Sequence, residues 1–568
     1  MWAVLDNPEA DDDDDIEIVE TPQAVVSAAT ASSSTASVYA QSRYYAEAFD
    51  VLKKVFKLPS FHDHQLGAII SYLEGHDVVC YFPTGGGKSL CFQLPALCQG
   101  GKTKGVTIVI VPLRALMEDQ VTKLRGLNVD VVEFSPETTQ AVKQRIFDQR
   151  WYPNLIYITP EKWSTGDGAK SLITELYRRK VLARFAVDEA HLLSTWGKTF
   201  RSEGVCLRDL RTEYPEIPIM AVTATATPQV QQEIMGILNL HEPKVFSQSA
   251  NRPNLRYTIL PKPKGIVPLI MAYIREKHPQ DVGIVYCLSR KSCEKVAEEM
   301  SRNGLSARHY HAQVDKEEQK SLVDAWRRGD CKIIVATIAF GMGVDKPDVR
   351  FVIHHDVPMS IAGYLQETGR AGRDGKVADC VLYWNWAEKK KFTSFIDKDE
   401  DLDDEQKAKQ KEDITEMFEY CHNQVDCRRL LLLRKYGENF EREDCQATCD
   451  NCLSHKDDTT ITQDVTDIAL SLVKFAVNVE RSCTLVSKSN FILGFRGSNA
   501  KSVRDKGLVD VDGYGSGKQV EQQIVDRLYD ELISRDIVES YLVQQPRTKY
   551  SNQYMKVGFF SSLELLVI

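Results

Sequence analysis

Asp77-Val-Val-Cys-Tyr-Phe-Pro-Thr-Gly-Gly-Gly-Lys-Ser89 carries a short apolar run directly into a glycine-rich turn that closes on lysine and serine. Asp77–Phe82 reads as a strand. A strand that empties into such a turn and then into a helix points backbone N–H groups and the helix dipole at phosphate. Thr84, Gly85, Gly86 and Gly87 would line that cradle. Lys88 would pair with the β- and γ-phosphates of ATP, and the Ser89 hydroxyl would bind Mg²⁺. The strict pattern places Gly at position 82, where this chain has Phe.

Working outward, short apolar runs recur between helical stretches from about residue 48 to 390. They include Val106–Val111, Phe185–Val187, Ile219–Val222, Gly283–Cys287, Ile333–Val335 and Phe351–His354. Strands of this kind, spaced by helices, indicate parallel sheets covered on both faces. One such strand ends in Asp188-Glu-Ala-His191, and an acid at a strand's C-terminal end faces the crevice where open α/β sheets bind ligands. Asp188 would hold Mg²⁺, Glu189 would orient and deprotonate the attacking water, and His191 would link the nucleotide site to moving elements. Gln366-Glu-Thr-Gly-Arg-Ala-Gly-Arg373 sets Arg370 and Arg373 three residues apart, on one side of an expected helix. Two such arginines suit charge stabilisation on a transferring phosphoryl group. They lie nearly 300 residues after Lys88, so the ATP site is expected between two lobes that hydrolysis opens and closes.

A chain of 568 residues predicts three or four domains, and 43% hydrophobic with 27% charged residues is an ordinary globular composition. No apolar run approaches the roughly 20 residues of a membrane helix. Met1–Asp6 leads into acid rather than an apolar signal core, which argues against secretion. The net charge is −9, but nine acids and Arg43 in residues 1–45 leave the remaining chain close to neutral. A near-neutral body can still cluster Lys and Arg for phosphate binding. The acidic, then Ala/Ser/Thr-rich residues 1–45 are expected to be disordered.

Fourteen cysteines should be mostly reduced in an intracellular chain, except where spacing suits metal. Cys427, Cys445, Cys449 and Cys452 form such a set, C-x17-C-x3-C-x2-C, and fit a closed tetrahedral structural Zn²⁺ site with one distant thiolate on a helix. Cys421, six residues earlier, would point about 240° around that helix and away from the site. Near the end, Tyr541–Gln545 and Gln553–Val557 flank Pro546–Asn552 as a β-hairpin.

These stretches together resemble superfamily 2 helicases and, more narrowly, the RecQ family of DNA helicases. The matching segments are Phe61-His-Asp-His-Gln65, Pro83–Ser89, Tyr157-Ile-Thr-Pro-Glu161, Asp188–His191 and Thr223-Ala-Thr-Ala226. Asn251-Arg-Pro-Asn254, Val335–Asp345 and Gln366–Arg373 complete the pattern. The resemblance implies two RecA-like lobes, then a small zinc-binding helical subdomain and a winged helix. The expected divisions are a tail (1–45), lobe 1 (46–248), lobe 2 (249–392), the zinc subdomain (393–458) and the winged helix (459–568). It also implies ATP, Mg²⁺ and Zn²⁺ as cofactors and single-stranded and forked duplex DNA as partners, with 3′–5′ unwinding and, in a eukaryote, nuclear residence.

By resemblance Phe61 and Gln65 contact adenine, and Gln366, Arg370 and Arg373 complete catalysis. Trp196, Phe200 and Arg201 would meet single-stranded bases, and Arg496, Ser498 and Lys501 the duplex backbone. Tyr550 would sit near the hairpin tip as a wedge at the fork. The chain departs from the family at His62 (usually Arg), at Leu58 (often aromatic) and at Thr195, Lys198 and Thr199 (usually Gln, His and Asp). Asp11–Asp15 followed by Ile16-Glu-Ile-Val19 resembles a SUMO-interaction motif, an acidic run beside a strand-forming segment. An RNA helicase and a catalytically silent DNA-binding scaffold remain as rival readings.

Overall fold

The computed structural model describes residues 38–112, 114–134, 140–148, 151–164, 168–193, 204–224, 226–340, 346–400, 402–454, 464–483, 485–534, 537–544 and 551–557. The first sheet has strands β1 (Val78–Tyr81), β2 (Val106–Ile110), β3 (Val131–Glu133), β4 (Leu155–Ile158), β5 (Leu182–Val187), β6 (Ile219–Thr223) and β7 (Lys244–Ser247), in the order β3-β4-β2-β5-β6-β1-β7. Every pairing is parallel. Along β1, Val79 and Tyr81 enter one apolar core while Val78 and Cys80 enter the core on the opposite face. Both faces are therefore covered, which is why the strand reads as an unbroken apolar run rather than an alternating one.

The second sheet comprises β8 (Leu255–Pro261), β9 (Val282–Tyr286), β10 (Ala307–Tyr310), β11 (Ile333–Ala336), β12 (Val349–His354) and β13 (Ala378–Trp384). Its order is β10-β11-β9-β12-β13-β8, again all parallel. Ile284 and Tyr286 pack into one core and Val285 into the other. The first of these cores continues through Tyr257 and Tyr364 into Phe418, Cys421 and the four-cysteine module, so lobe 2 and that module share one interior.

Asp77 fixes the base of the first sheet. Its buried carboxylate takes two bonds from Arg211 (2.6 and 2.7 Å) and accepts from the amides of Ile219 and His241, both at 2.8 Å. β1, β6 and the approach to β7 are thus pinned at one point. Removing one partner of such a buried pair costs about 3–5 kcal/mol, because the other charge is stranded.

Past the second sheet, the acidic Asp404–His422 helix starts on an Asp403/Gln406 capping box. Helices Thr466–Ser482, Lys488–Phe495 and Gln522–Ser534 then pack with a hairpin of β14 (Val538–Gln544) and β15 (Ser551–Val557) around Phe475, Phe491 and Leu508 as a winged helix. The hairpin is antiparallel, with Val538 opposite Val557 and Gln544 opposite Ser551. Among the described residues no helix is long and apolar enough to cross a membrane.

Three local expectations are corrected. Residues 38–45, expected in the disordered tail, pack on lobe 1, where Tyr39 meets Phe246 edge-on at 6.1 Å and Tyr44 is buried with Leu52 and Ile69. The helix before Arg370 and Arg373 spans only Ile361–Thr368, and both arginines sit in the turn that follows. Gly369 closes that helix and Gly372 adopts φ +55°, a left-handed conformation that glycine adopts without strain. Likewise Cys421 and Cys427 do not share a helix. Asn423 ends the first one and accepts from the amides of Val425 and Asp426, so that Cys427 caps a new helix, Arg428–Arg434. Cys421 stays on the first helix, facing the shared core, while the turn at Asn423 sets Cys427 at the start of the next helix with the cluster.

Candidate functional site

The glycine turn follows β1 directly. Gly85 (φ +88°) and Gly87 (φ +74°) are both left-handed, and a Cβ on Gly87 would lie 2.0 Å from Gln65 Nε2. Only glycine allows that approach. Phe82 keeps its side chain in the core at the end of the strand, so the missing first glycine leaves the turn itself intact. The helix Lys88–Gln93 starts at once. Lys88 Nζ donates to the carbonyls of Phe82 (3.2 Å) and Pro83 (3.4 Å), and burial pushes its pKa down. Its ammonium thus curls over the loop that would cradle phosphate. Ser89 stands in the first turn of the same helix.

Asp188 and Glu189 follow β5, one strand away from β1 across β6. Asp188 is buried, and burial followed by the charge of Glu189 pushes its carboxyl up to about 6. It accepts from Gln120 Nε2 at 2.7 Å and from the Glu189 amide at 2.9 Å. Glu189 holds φ +50°, and its Oε2 is buried without a hydrogen-bond partner. His191 Nδ1 lies 2.8 Å from Thr223 Oγ1 at the end of β6 and 3.5 Å from Glu189 Oε2. Burial and then the Lys88 charge push its pKa down to about 4, so the ring is neutral near pH 7. His191 therefore joins the Asp-Glu box to the Thr223-Ala-Thr segment.

One residue here escaped the sequence reading. Gln120, on the helix Arg114–Gly126, is buried and completes a polar chain. Its Oε1 accepts from Gln93 Nε2 (3.1 Å) and the Tyr157 hydroxyl (2.9 Å), while its Nε2 holds Asp188. Met117 and Val121 on the same helix are core residues. Gln120 shares their face, so a polar residue interrupting an apolar stripe was the available signal.

The lobe 2 arginines reach this site. A Cβ on Gly85 would lie 3.7 Å from Arg373 Cγ, and one on Gly369 would lie 3.2 Å from Thr84 Cβ. Arg370 is buried near Tyr286, with its Nε lacking a hydrogen-bond partner. Gln366 is half-buried on the preceding helix. Pro83, Thr84, Ala224, Arg252 and Gly369 line one cavity between the lobes. Gln65, expected on the adenine edge, donates to the carbonyls of Gly86 (3.3 Å) and Gly87 (3.1 Å) and accepts from the His62 amide (2.8 Å). Phe61 is half-buried, 6.4 Å from Phe49. Buried Asp188 and half-buried Glu189 beside half-buried Lys88 fit a Mg²⁺–nucleotide, whose cation offsets the burial and the repulsion from Glu189 that raise Asp188.

Cys427, Cys445, Cys449 and Cys452 bring their sulfurs within 4.8 Å of one another, all buried. Hydrogen bonding with Cys427 and then Cys449 pushes the Cys445 thiol down, while hydrogen bonding with Cys445 and then Cys449 pushes Cys427 up. Four soft donors with no hard ligand fit structural Zn²⁺. A second group, Cys287, His355 and Asp356, does not fit a metal. Lys262 already neutralises Asp356 at 2.7 Å, and the Leu288 amide and His355 occupy its other oxygen.

Trp196, Phe200, Arg201, Tyr550 and the Ile16–Val19 segment lie outside the described residues. Arg496 donates to the Val520 carbonyl (3.3 Å) and Gln522 Oε1 (3.0 Å), closing the end of one helix. Ser498 Oγ accepts from the Ala500 amide just before exposed Lys501, which opens a short helix.

Comparison with known proteins agrees with this architecture. Residues 62–234 match the DEAD/DEAH box helicase family and 265–375 the helicase conserved C-terminal domain. Residues 386–453 match the RecQ zinc-binding family and 459–558 the RQC domain. ATP-dependent DNA helicase Q1 of Rattus norvegicus is 34% identical over 526 residues, covering 90% of this chain and 80% of that protein. ATP-dependent helicase SGS1 of Saccharomyces cerevisiae is 38% identical over 509 residues, 89% of this chain but 35% of its own length. The chain spans little more than a third of such longer relatives. In fold alone it resembles the DUF1998 helicase MrfA bound to DNA, at a TM-score of 0.51 and 19% identity, over 60% of this chain and 50% of that one.

Proposed function

Because the chain belongs to the RecQ family of superfamily 2 helicases, we propose that it is an ATP-driven DNA helicase that moves along single-stranded DNA and separates duplex in the 3′–5′ direction. The supporting observation is the interlobe site. Pro83 and Thr84 of the glycine turn and Gly369, next to Arg370, line one cavity between the lobes, and Arg373 approaches Gly85 closely enough for its charge to act on Lys88.

Lys88 would bind the β- and γ-phosphates, with Gly85–Gly87 supplying backbone donors and Phe61 and Gln65 holding adenine. Ser89 and Asp188 would hold Mg²⁺, which supplies charge neutralisation on the phosphates when bound. Glu189 would orient the attacking water and accept its proton. Its Oε2, which accepts no hydrogen bond, has that capacity. Arg370 and Arg373 would stabilise charge on the transferring group once the lobes close, with Gln366 beside them. His191 would pass that change through Thr223.

Bases of the tracked strand would stack on Trp196 and Phe200 beside Arg201. Arg496, Ser498 and Lys501 would hold duplex phosphates, and Tyr550 would wedge the fork. The zinc site would stabilise the fold. Work in recombination, repair and replication, in the nucleus, accords with such an activity. An additional contact to SUMO through Ile16–Val19 would be tested by titrating a peptide of residues 8–22, and no saturable binding below millimolar concentration rejects it.

The main test is strand displacement on forked, 3′-tailed and 5′-tailed duplexes, with ATPase stimulation compared for DNA and RNA. Unwinding should need a 3′ tail and DNA should stimulate. Lys88→Ala and Glu189→Gln should each abolish hydrolysis. Near wild-type turnover in either variant overturns the assignment, and preferential stimulation by RNA favours an RNA helicase.

A further inference from the structure

The segment joining the two lobes, 249–254, is gripped from two sides. From the cysteine module, buried Arg429 donates to Asn251 Oδ1 (2.9 Å) and to the carbonyls of Arg252 (2.8 Å), Pro253 (3.3 Å) and Leu255. Its Nε is anchored on Thr448 Oγ1 at 2.9 Å, beside Cys449. Glu438 accepts from the Ala250 amide (2.7 Å) and the Ser249 hydroxyl (2.5 Å). Next to it, a Cβ on Gly437 would press on Pro228 Cγ of lobe 1 at 3.1 Å. The cysteine module therefore touches lobe 1, lobe 2 and the connection between them.

On the other side, the Arg252 side chain leaves the connection and enters the nucleotide cleft. Its guanidinium donates to the Thr84 carbonyl in the glycine turn (3.2 Å). It also donates to the carbonyls of Gly369 (3.4 Å), Ala371 (3.1 Å) and Gly372 (2.7 Å), which flank Arg370 and Arg373. Asn254 adds bonds to Gly372 and Lys376, both 2.8 Å. Among the described residues Arg252 makes no ion pair, so its fork serves carbonyl groups on both sides of the cleft. A planar guanidinium spreads five donors over a rigid fork, whereas an ammonium gathers three at one point.

We infer that Arg252 is a positioning residue that sets the arginine turn against the glycine turn, and that the zinc module steadies it through Arg429 and Glu438. The kinetic half of this inference rests on the ATPase reading, and the structural half stands on the contacts alone. Arg252 is not assigned to the reacting atoms. It acts by fixing where Arg370 and Arg373 stand, an effect on the transition state more than on nucleotide binding.

The test uses the full chain as three variants, Arg252→Ala, Arg252→Lys and Glu438→Ala, the last at a partly exposed site where folding is secure. DNA-stimulated turnover, affinity for a non-hydrolysable ATP analogue and amide hydrogen exchange would be measured on each. Arg252→Ala should lose turnover by about tenfold or more while analogue affinity changes only slightly, and Arg252→Lys should not rescue it. Glu438→Ala should keep its zinc, yet speed exchange at 249–255 and also at 369–374, which Glu438 does not touch.

Wild-type turnover in Arg252→Ala, or a loss matched by equal loss of analogue affinity, overturns the positioning role. Exchange in Glu438→Ala that rises only at 249–250 overturns the link to the zinc module. Should the wild type itself fail to hydrolyse ATP, the ATPase reading falls, and exchange at 369–374 alone decides the bracket.

Discussion

Gln120→Ala isolates how Asp188 is held. The lost bond runs from Nε2 to Asp188 Oδ2 at 2.7 Å, inside a buried site. A hydrogen bond to a charged group contributes about 1.5–3 kcal/mol. The other partners lose less, since Gln93 and the Tyr157 hydroxyl remain 3.0 Å apart and bond each other. The deficit therefore falls on the orientation of one carboxylate. At about 1.4 kcal/mol per tenfold, it corresponds to a weakening of Mg²⁺ binding of roughly 10- to 100-fold, the range that outer-shell partners of metal ligands usually command. Titrating Mg²⁺ in a DNA-stimulated ATPase assay should show the midpoint move up by that factor, with turnover largely restored at saturation. Gln120→Glu should be worse, because it sets a third carboxylate beside Asp188 and Glu189. An unchanged midpoint, or turnover lost equally at every Mg²⁺ concentration, would refute the reasoning.

Three further expectations follow from particular contacts. Cys449→Ser should reduce zinc from one per chain and lower the melting temperature of lobe 2, since Cys449 bridges to Tyr257 on β8; full zinc by elemental analysis contradicts this. His278 is pushed down by burial, but bonds to Asp379 (3.0 Å) and Asp281 (2.9 Å) outweigh that and raise its pKa. Its contribution is thus complete below the ordinary histidine value and is lost as pH rises through the raised one. His278→Gln should flatten the decline in lobe 2 stability that sets in as pH rises above the ordinary histidine value, and an unaltered denaturant midpoint profile would count against it. Tyr550→Ala should slow unwinding of a fork while sparing ATPase, from a stacking loss of about 1–3 kcal/mol, whereas Trp196→Ala should blunt stimulation by single-stranded DNA; identical failures in both assays would dissolve the distinction.

What was legible in the sequence was chemistry carried by spacing. The glycine turn, the Asp188–His191 box and the four cysteines each need only neighbours within a few residues, or a fixed ligand count, to be recognised. Local breaks were harder. Arg370 and Arg373 fit a helical pattern by spacing, but Gly369 and Gly372 end the helix first. Asn423 likewise breaks the helix that would have carried Cys427, through a turn its own side chain makes. Contacts across long sequence gaps left no local trace. Nothing near Arg252 announces that its partners lie at positions 84 and 369–372, nor near Arg429 that it holds the interlobe connection. Gln120 showed only as a polar residue among Met117 and Val121.

Glu189 bears a different burden from its neighbours, because a glutamate held at φ +50° costs about 1–3 kcal/mol that glycine would not incur. Selection for turnover and selection for a durable fold therefore pull this one position in opposite directions. In a lineage released from the need to hydrolyse ATP, glycine or asparagine should spread at 189 before Lys88 decays, since the first change strengthens the fold and the second offers no such reward. A duplicated gene that had kept the glycine turn but replaced this glutamate would thus have passed from motor to binder by the easiest mutational route.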